Sequence, residues 1–147
     1  MEQDYHEAMK LANQLCFPLY AAARSVVSLY TPRLKPLGLT YTQYIVFLVL
    51  WEKDGISVGE LCDRLMLDSG TLSPLLKKMQ QAGYLKRTRS AEDDRMVILT
   101  LTEEGRALQE KAKGVPEQVA GCIDLPPEKA RMLYALLYEL LENRKNK

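Results

Sequence analysis

The chain has 147 residues, 47% of them hydrophobic and 27% charged, which suits one domain with a packed core and excludes a disordered chain. Its longest apolar run, Tyr44 to Trp51, is far too short to cross a bilayer. A formal net charge of +1 identifies no partner, so the distribution of charge along the chain has to.

Met1-Glu2-Gln3-Asp4 offers no basic region followed by an apolar stretch, and the expected address is the cytoplasm, with no membrane partner. Leu11, Leu15, Leu19, Ala22, Val26 and Leu29 recur at helical spacing. They predict a first helix from the early twenties, or before, to about Leu34, with Pro32, Pro36 and Gly38 stopping it. Thr40-Tyr41-Thr42-Gln43 reads as a capping box for a second helix, which continues through Leu50 and Trp51 until Asp54-Gly55 turns the chain. Ser57-Val58-Gly59-Glu60 reads as another such box, opening a short third helix through Leu61, Leu65 and Met66. Only Leu67, Asp68 and Ser69 separate it from a fourth, which carries Leu72, Leu75, Leu76 and Met79 and ends at Gly83. Pro74 falls in the first turn of that helix or just after it, where a missing N–H costs less than at mid-helix. Two short helices with so tight a turn predict a helix-turn-helix.

After Gly83 the apolar period becomes two. Tyr84 to Arg89 and Met96 to Leu101 predict two strands, joined by the polar loop Ser90 to Arg95. Thr102 then caps a fifth helix, with Glu103 and Glu104 well placed in its first turn. Pro126-Pro127-Glu128 starts a last helix with the stripe Ala130, Leu133, Leu137, Leu140 and Leu141. The fold class expected is mainly α with a small β-hairpin wing.

The fourth helix and the hairpin carry Lys77, Lys78, Lys86, Arg87, Arg89 and Arg95, opposed there by Glu92, Asp93 and Asp94. Such a concentration neutralises phosphates and releases counterions, and it points to double-stranded DNA. The helix opens with the short residues Asp68, Ser69, Gly70, Thr71 and Ser73, which let its end approach base edges and phosphates. Asp68 repels phosphate, and is read either as a helix cap or as an acceptor for a cytosine amino group. Arg95 at the hairpin tip suits a narrow minor groove, and Asp93 is placed to pair with it. Solvated surface is the alternative for Lys77 and Lys78 taken alone.

With three widely spaced cysteines, one histidine and no Cys-x-x-Cys, neither a zinc site nor any other cofactor is expected. Cys62, beside Leu61, reads as core. If a helix opens at Pro18, Cys16 lies at its positive end, which favours the nucleophilic thiolate; if the helix starts upstream, Pro18 makes a kink and that argument weakens. Phe17, Leu19 and Phe47 are expected to surround Cys16 with apolar side chains. Tyr30 follows Cys16 by nearly four whole turns, on the same face but roughly 20 Å away along a straight helix. Contact between them requires the first helix of a second copy running antiparallel.

The run Leu67 to Lys78, with Asp93-x-Arg95 and Leu99-x-Leu101-Thr102-x-x-Gly105, resembles the recognition helix and wing of MarR-family regulators over essentially the whole chain. Asp68-Ser69-Gly70-Thr71-Leu72 and Leu15-Cys16-Phe17-Pro18-Leu19-Tyr20 are similar to the organic-hydroperoxide-sensing branch. The resemblance implies one domain over 1–147, with a winged helix-turn-helix at about 40–102. Helices in about 1–38 and 103–147 would build a homodimer on a pseudo-palindromic operator. It implies a repressor and not an enzyme, with Cys16 as the reactive thiol and Tyr30 and Tyr41 as donors to it. Organic hydroperoxide would be the inducer. The sulfenic acid would be resolved by Cys122 of the other subunit or by a small thiol. A thiol peroxidase, or a repressor released by a phenolic ligand, are the competing expectations.

Overall fold

The computed structural model describes residues 2–145, with side chains from 5 to 143. The reading of Met1 to Asp4 as lacking a leader lies outside the described side chains. A short helix α1 (Glu2–Ala8) and a 3-10 turn at Leu11–Asn13 come first, a break in the stripe that was expected to belong to one helix. Helix α2 then spans Cys16–Leu34. Pro32 does not stop it. A proline's φ is already helical, so within α2 it forfeits one backbone bond near the end, and the chain tightens into 3-10 geometry at Lys35–Leu37 before Gly38 (φ 69°) reverses it.

Thr40 and Gln43 close a reciprocal capping box on α3 (Tyr41–Glu52), which is buried through Tyr44, Val46, Phe47, Val49 and Leu50. At Ser57 only half the box forms. Its hydroxyl accepts from Glu60 N at 3.0 Å, whereas the Glu60 carboxylate turns to Lys53 Nζ at 2.8 Å. Helix α4 (Val58–Leu65) ends on Met66 in the left-handed region (φ 54°), and α5 (Ser69–Gln81) follows with Asp68 as its cap. Pro74 sits inside α5 at the sixth position, beyond the first turn.

The wing holds one strand more than its pattern predicts. Strands β2 (Leu85–Arg89) and β3 (Val97–Leu101) pair antiparallel from Leu85↔Leu101 to Arg89↔Val97. The two-residue β1 (Ile56–Ser57) adds to the other edge of β3, giving the order β1-β3-β2. Two residues are too few to show a period, which is why the sequence did not announce it. Helix α6 (Glu103–Ala112) is capped by Thr102; Lys113–Gly114 breaks the helical run, and α7 (Val115–Ala120) follows. Helix α8 spans Pro127–Lys145.

One core joins the elements from α2 to α7, from Leu34 on α2 through Phe47, Leu61, Leu72, Leu76 and Met79 to Leu99, Leu101 and Val119. Burial on this scale stabilises by about 25 cal/mol for each Å² of apolar surface removed from water. Among the described residues no helix is long and apolar enough to cross a membrane.

Candidate functional site

Basic and short polar side chains meet between α5 and the wing. Leu72, Leu76 and Met79 face the core, which turns Ser69, Ser73, Lys77 and Lys78 to solvent on the opposite side. Along β2 the two-residue period puts Arg87 on the same face as Leu85 and Arg89. Ser69, Ser73, Arg87 and Arg95 line one open groove of about 710 Å³, which Glu60 and Asp63 of α4 also line. Lys77, Lys78, Arg89 and Arg95 are exposed, and Arg87 is half-buried.

Asp68 caps α5 twice over. Its Oδ1 accepts from Thr71 N at 2.7 Å and its Oδ2 from the Thr71 hydroxyl at 3.0 Å. These bonds, the backbone one foremost, hold its carboxyl below the ordinary aspartate value. Asp93 does not pair with the Arg95 guanidinium, as its spacing suggested. Its Oδ1 instead accepts from the Arg95 backbone N at 3.0 Å, because two residues of separation in a turn favour the local main-chain donor. The bond of Met96 N to Asp93 O (2.9 Å) tightens the same tip, and the Arg95 side chain is left to the groove.

A second constellation runs along α2. Cys16 is the first residue of that helix and is exposed. Pro18 therefore occupies the third position, where its missing N–H breaks no helical bond. Tyr30 and Tyr41 are half-buried, with ring centroids 4.9 Å apart, and Tyr44 of α3 lies 5.7 Å from Tyr30. Burial, and secondarily Tyr30, push the Tyr41 hydroxyl above its ordinary value, and the same causes act on Tyr44. Both stay protonated at neutral pH and can donate.

Phe47 is no part of a Cys16 environment. It is fully buried between Trp51 and Tyr84, since it faces inward from α3. Leu15, Phe17 and Leu19 do flank Cys16 in sequence, and all three are exposed. Cys62 is half-buried against the core. Cys122 follows α7 and is exposed, with the Arg33 guanidinium 3.0 Å from its sulfur. Arg33 and Tyr44 were not singled out from the sequence. Each lies three residues beyond a tyrosine that was, Tyr30 and Tyr41, and that helical spacing is the signal which would have found them.

A helix-turn-helix followed at once by a basic wing, with long helices on either side, defines a winged-helix protein. The particular family follows from comparison with known proteins. Residues 28–112 match the family described as "Transcriptional regulator SarA/Rot". The chain is 46% identical over 134 residues to the organic hydroperoxide resistance transcriptional regulator of Bacillus subtilis, covering 91% of each. It is also similar to AbfR of Staphylococcus epidermidis. Against the reduced AbfR bound to DNA, identity is 38% and the TM-score 0.76, covering 96% of this chain and 98% of that one. Against the disulfide-formed AbfR, at the same identity and covering 96% and 99%, the TM-score is 0.64. The chain belongs to this family of winged-helix transcriptional regulators.

Proposed function

We propose that the protein is a DNA-binding transcriptional repressor that senses organic hydroperoxides through Cys16 and then releases its operator. The observation that carries this is the placement of Cys16 at one end of α2 and of Tyr30, packed on Tyr41 of α3, toward the other, in a chain that also exposes a basic winged helix. Fourteen residues of straight helix separate Cys16 from Tyr30, roughly 20 Å, so the two meet only when the α2 helices of two copies run antiparallel. In that homodimer Tyr30 and Tyr41 donate to the sulfur of Cys16 from the other subunit. Residues in about 1–38 and 103–147 supply the dimer contacts, and about 40–102 the reading head.

The thiolate attacks one oxygen of the hydroperoxide. The O–O bond breaks, the sulfur becomes a sulfenic acid, and the other oxygen leaves as an alkoxide that takes a proton to become the alcohol. Leu15, Phe17 and Leu19 favour a peroxide with an organic body. Cys122 then resolves the sulfenic acid as a disulfide between subunits, a reading supported by the existence of a disulfide form of AbfR; mixed disulfide with a small thiol is the other outcome. On DNA, α5 presents Ser69, Thr71 and Ser73 to a major groove, Lys77 and Lys78 reach phosphates, and Arg87, Arg89 and Arg95 carry the wing to the flanking backbone and minor groove. Asp68 and Asp93 hold the two loops.

The test is operator binding with and without cumene hydroperoxide. The wild type should release DNA after one equivalent of oxidant, with no steady turnover of peroxide, while Cys16→Ser stays bound. Release by the Cys16→Ser variant would sink the sensor assignment, and continuing turnover would make the protein a thiol peroxidase.

A further inference from the structure

Cys122 does not stand free in the chain. Packing of α7 on α2 brings it to the C-terminal end of α2, where Arg33 Nη2 donates to its Sγ at 3.0 Å. Arg33 Nη1 donates to Leu29 O at 2.7 Å, so the guanidinium is braced on its own helix. Its Nε is buried without a partner, and among the described residues no carboxylate forms an ion pair with it. The Arg33 guanidinium thus has the Cys122 sulfur as its side-chain hydrogen-bond partner. The sulfur's other contact is Gln118 O at 3.3 Å.

Position along α2 gives this contact its meaning. Arg33 lies one turn beyond Tyr30, and Cys16 is at the far end of the same helix, 17 residues away and roughly 25 Å along its axis. Within one chain Cys16 and Cys122 are thus far beyond the about 7 Å between Cα atoms that a disulfide permits. A Cys16 that docks at Tyr30 of another copy arrives one turn from Arg33.

We propose that Arg33 is a positioning residue for the resolving step: it holds the Cys122 sulfur at the end of α2 that carries Tyr30 and supplies a positive charge while that sulfur attacks the sulfenic acid of the other subunit's Cys16. The proposal rests on the reading of Cys16 as sensor and Cys122 as resolving thiol. In the step itself the Cys122 thiolate forms the S–S bond as the S–O bond of the sulfenic acid breaks. Hydroxide leaves and takes a proton to become water. The oxidising equivalents came from the hydroperoxide, already reduced to its alcohol. Arg33 acts through its charge and its hydrogen bond to the sulfur, with no part in the proton transfer.

The test compares Arg33→Gln and Arg33→Lys in the full-length protein, with operator binding by the reduced variants showing that each is folded. After cumene hydroperoxide, formation of the covalent dimer on non-reducing gels should slow about tenfold in Arg33→Gln, the worth of a hydrogen bond to a charged group, and largely recover in Arg33→Lys. Cys122→Ser identifies the band. A second readout uses the reduced protein, alkylated at Cys122 with anionic iodoacetate or neutral iodoacetamide and followed by peptide mass spectrometry. A guanidinium at the sulfur favours the anionic reagent, so the ratio of the two rates should fall in Arg33→Gln and be kept in Arg33→Lys, whereas lost packing would change both rates together. If wild type and Arg33→Gln form the dimer at one rate, or share one alkylation ratio, Arg33 has no such part. A wild type that forms no covalent dimer at all sinks the resolving role of Cys122 instead, and that of Arg33 with it.

Discussion

Asp68 brings a negative charge to the surface proposed to face phosphate, and its two bonds to Thr71 account for its presence. Because those bonds lower its pKa in the folded state, its contribution to stability is present above the ordinary value of 3.8 and is lost as pH falls through the lowered one. Asp68→Ala should lower the melting temperature at neutral pH, while Asp68→Asn, an equally good cap, should keep it. The asparagine should also bind random DNA more tightly, since a repulsion is gone; a changed base preference instead would make Asp68 a reader of cytosine. The tyrosines give the opposite sign. Tyr41 and Tyr44 are raised above 10.0 by burial, so their stabilisation is intact below that pH and disappears as pH rises through the elevated values. Unfolding should steepen at alkaline pH, and Tyr41→Phe should blunt that loss in a melting series across the range. At this scale the sequence spoke clearly about residue type and poorly about depth. Phe47 and Phe17 look alike in a periodic pattern, yet one is sealed between two aromatic rings and the other is exposed. Asp93 and Arg95 looked like an ion pair because spacing alone does not reveal a nearer backbone donor.

The joint between wing and α6 shows how an element is fixed by a few atoms. Thr102 Oγ1 donates to Gly83 O at 2.6 Å and Thr102 N to Tyr84 O at 3.0 Å, while Trp51 Nε1 donates to Gly105 O at 2.9 Å. Asp54 ties the same region by accepting from Leu101 N and Arg106. A Cβ on Gly105 would sit 2.2 Å from Tyr84 O, a backbone atom that cannot move without shifting β2. Gly105→Ala should therefore cost about 3 kcal/mol, at the upper end for overpacking, measured as a lower urea midpoint at unchanged slope. A variant as stable as the wild type would show that α6 can slide on the wing. The caps at Thr40 and Thr102 and the turn at Asp68 were legible because each is a local rule satisfied by adjacent residues. The passage of α2 through Pro32 and the break after Ala112 were not, since tertiary packing decides whether one lost backbone bond is tolerated.

No described residue of α8 is buried within the chain, although the helix carries Leu133, Leu136, Leu137, Leu140 and Leu141. Leu136 is 56% exposed and Met132 64%, and Leu15 at the start of α2 reaches 81%. An apolar groove of about 560 Å³ runs between them, lined by Leu15, Pro18, Leu19, Leu133, Leu136 and Leu140. So large a continuous apolar face in water marks an interface, and the antiparallel meeting of α2 helices proposed above for Cys16 would place a second copy against it. The sequence showed the stripe on α8, but a stripe is equally consistent with core, and only the absence of intrachain cover tells the two apart. Leu136→Glu tests the assignment without touching the reading head. Each unpaired carboxylate costs about 2 kcal/mol on burial and two-fold symmetry counts it twice, so the dimer dissociation constant should rise about a thousandfold. At micromolar concentration the variant should sediment as a monomer, and its footprint should shrink to one half-site with a shallower salt dependence, because half the phosphate contacts are lost. A Leu136→Glu protein that remains dimeric and protects both half-sites would move the interface elsewhere and, with it, the route by which Cys16 reaches Tyr30.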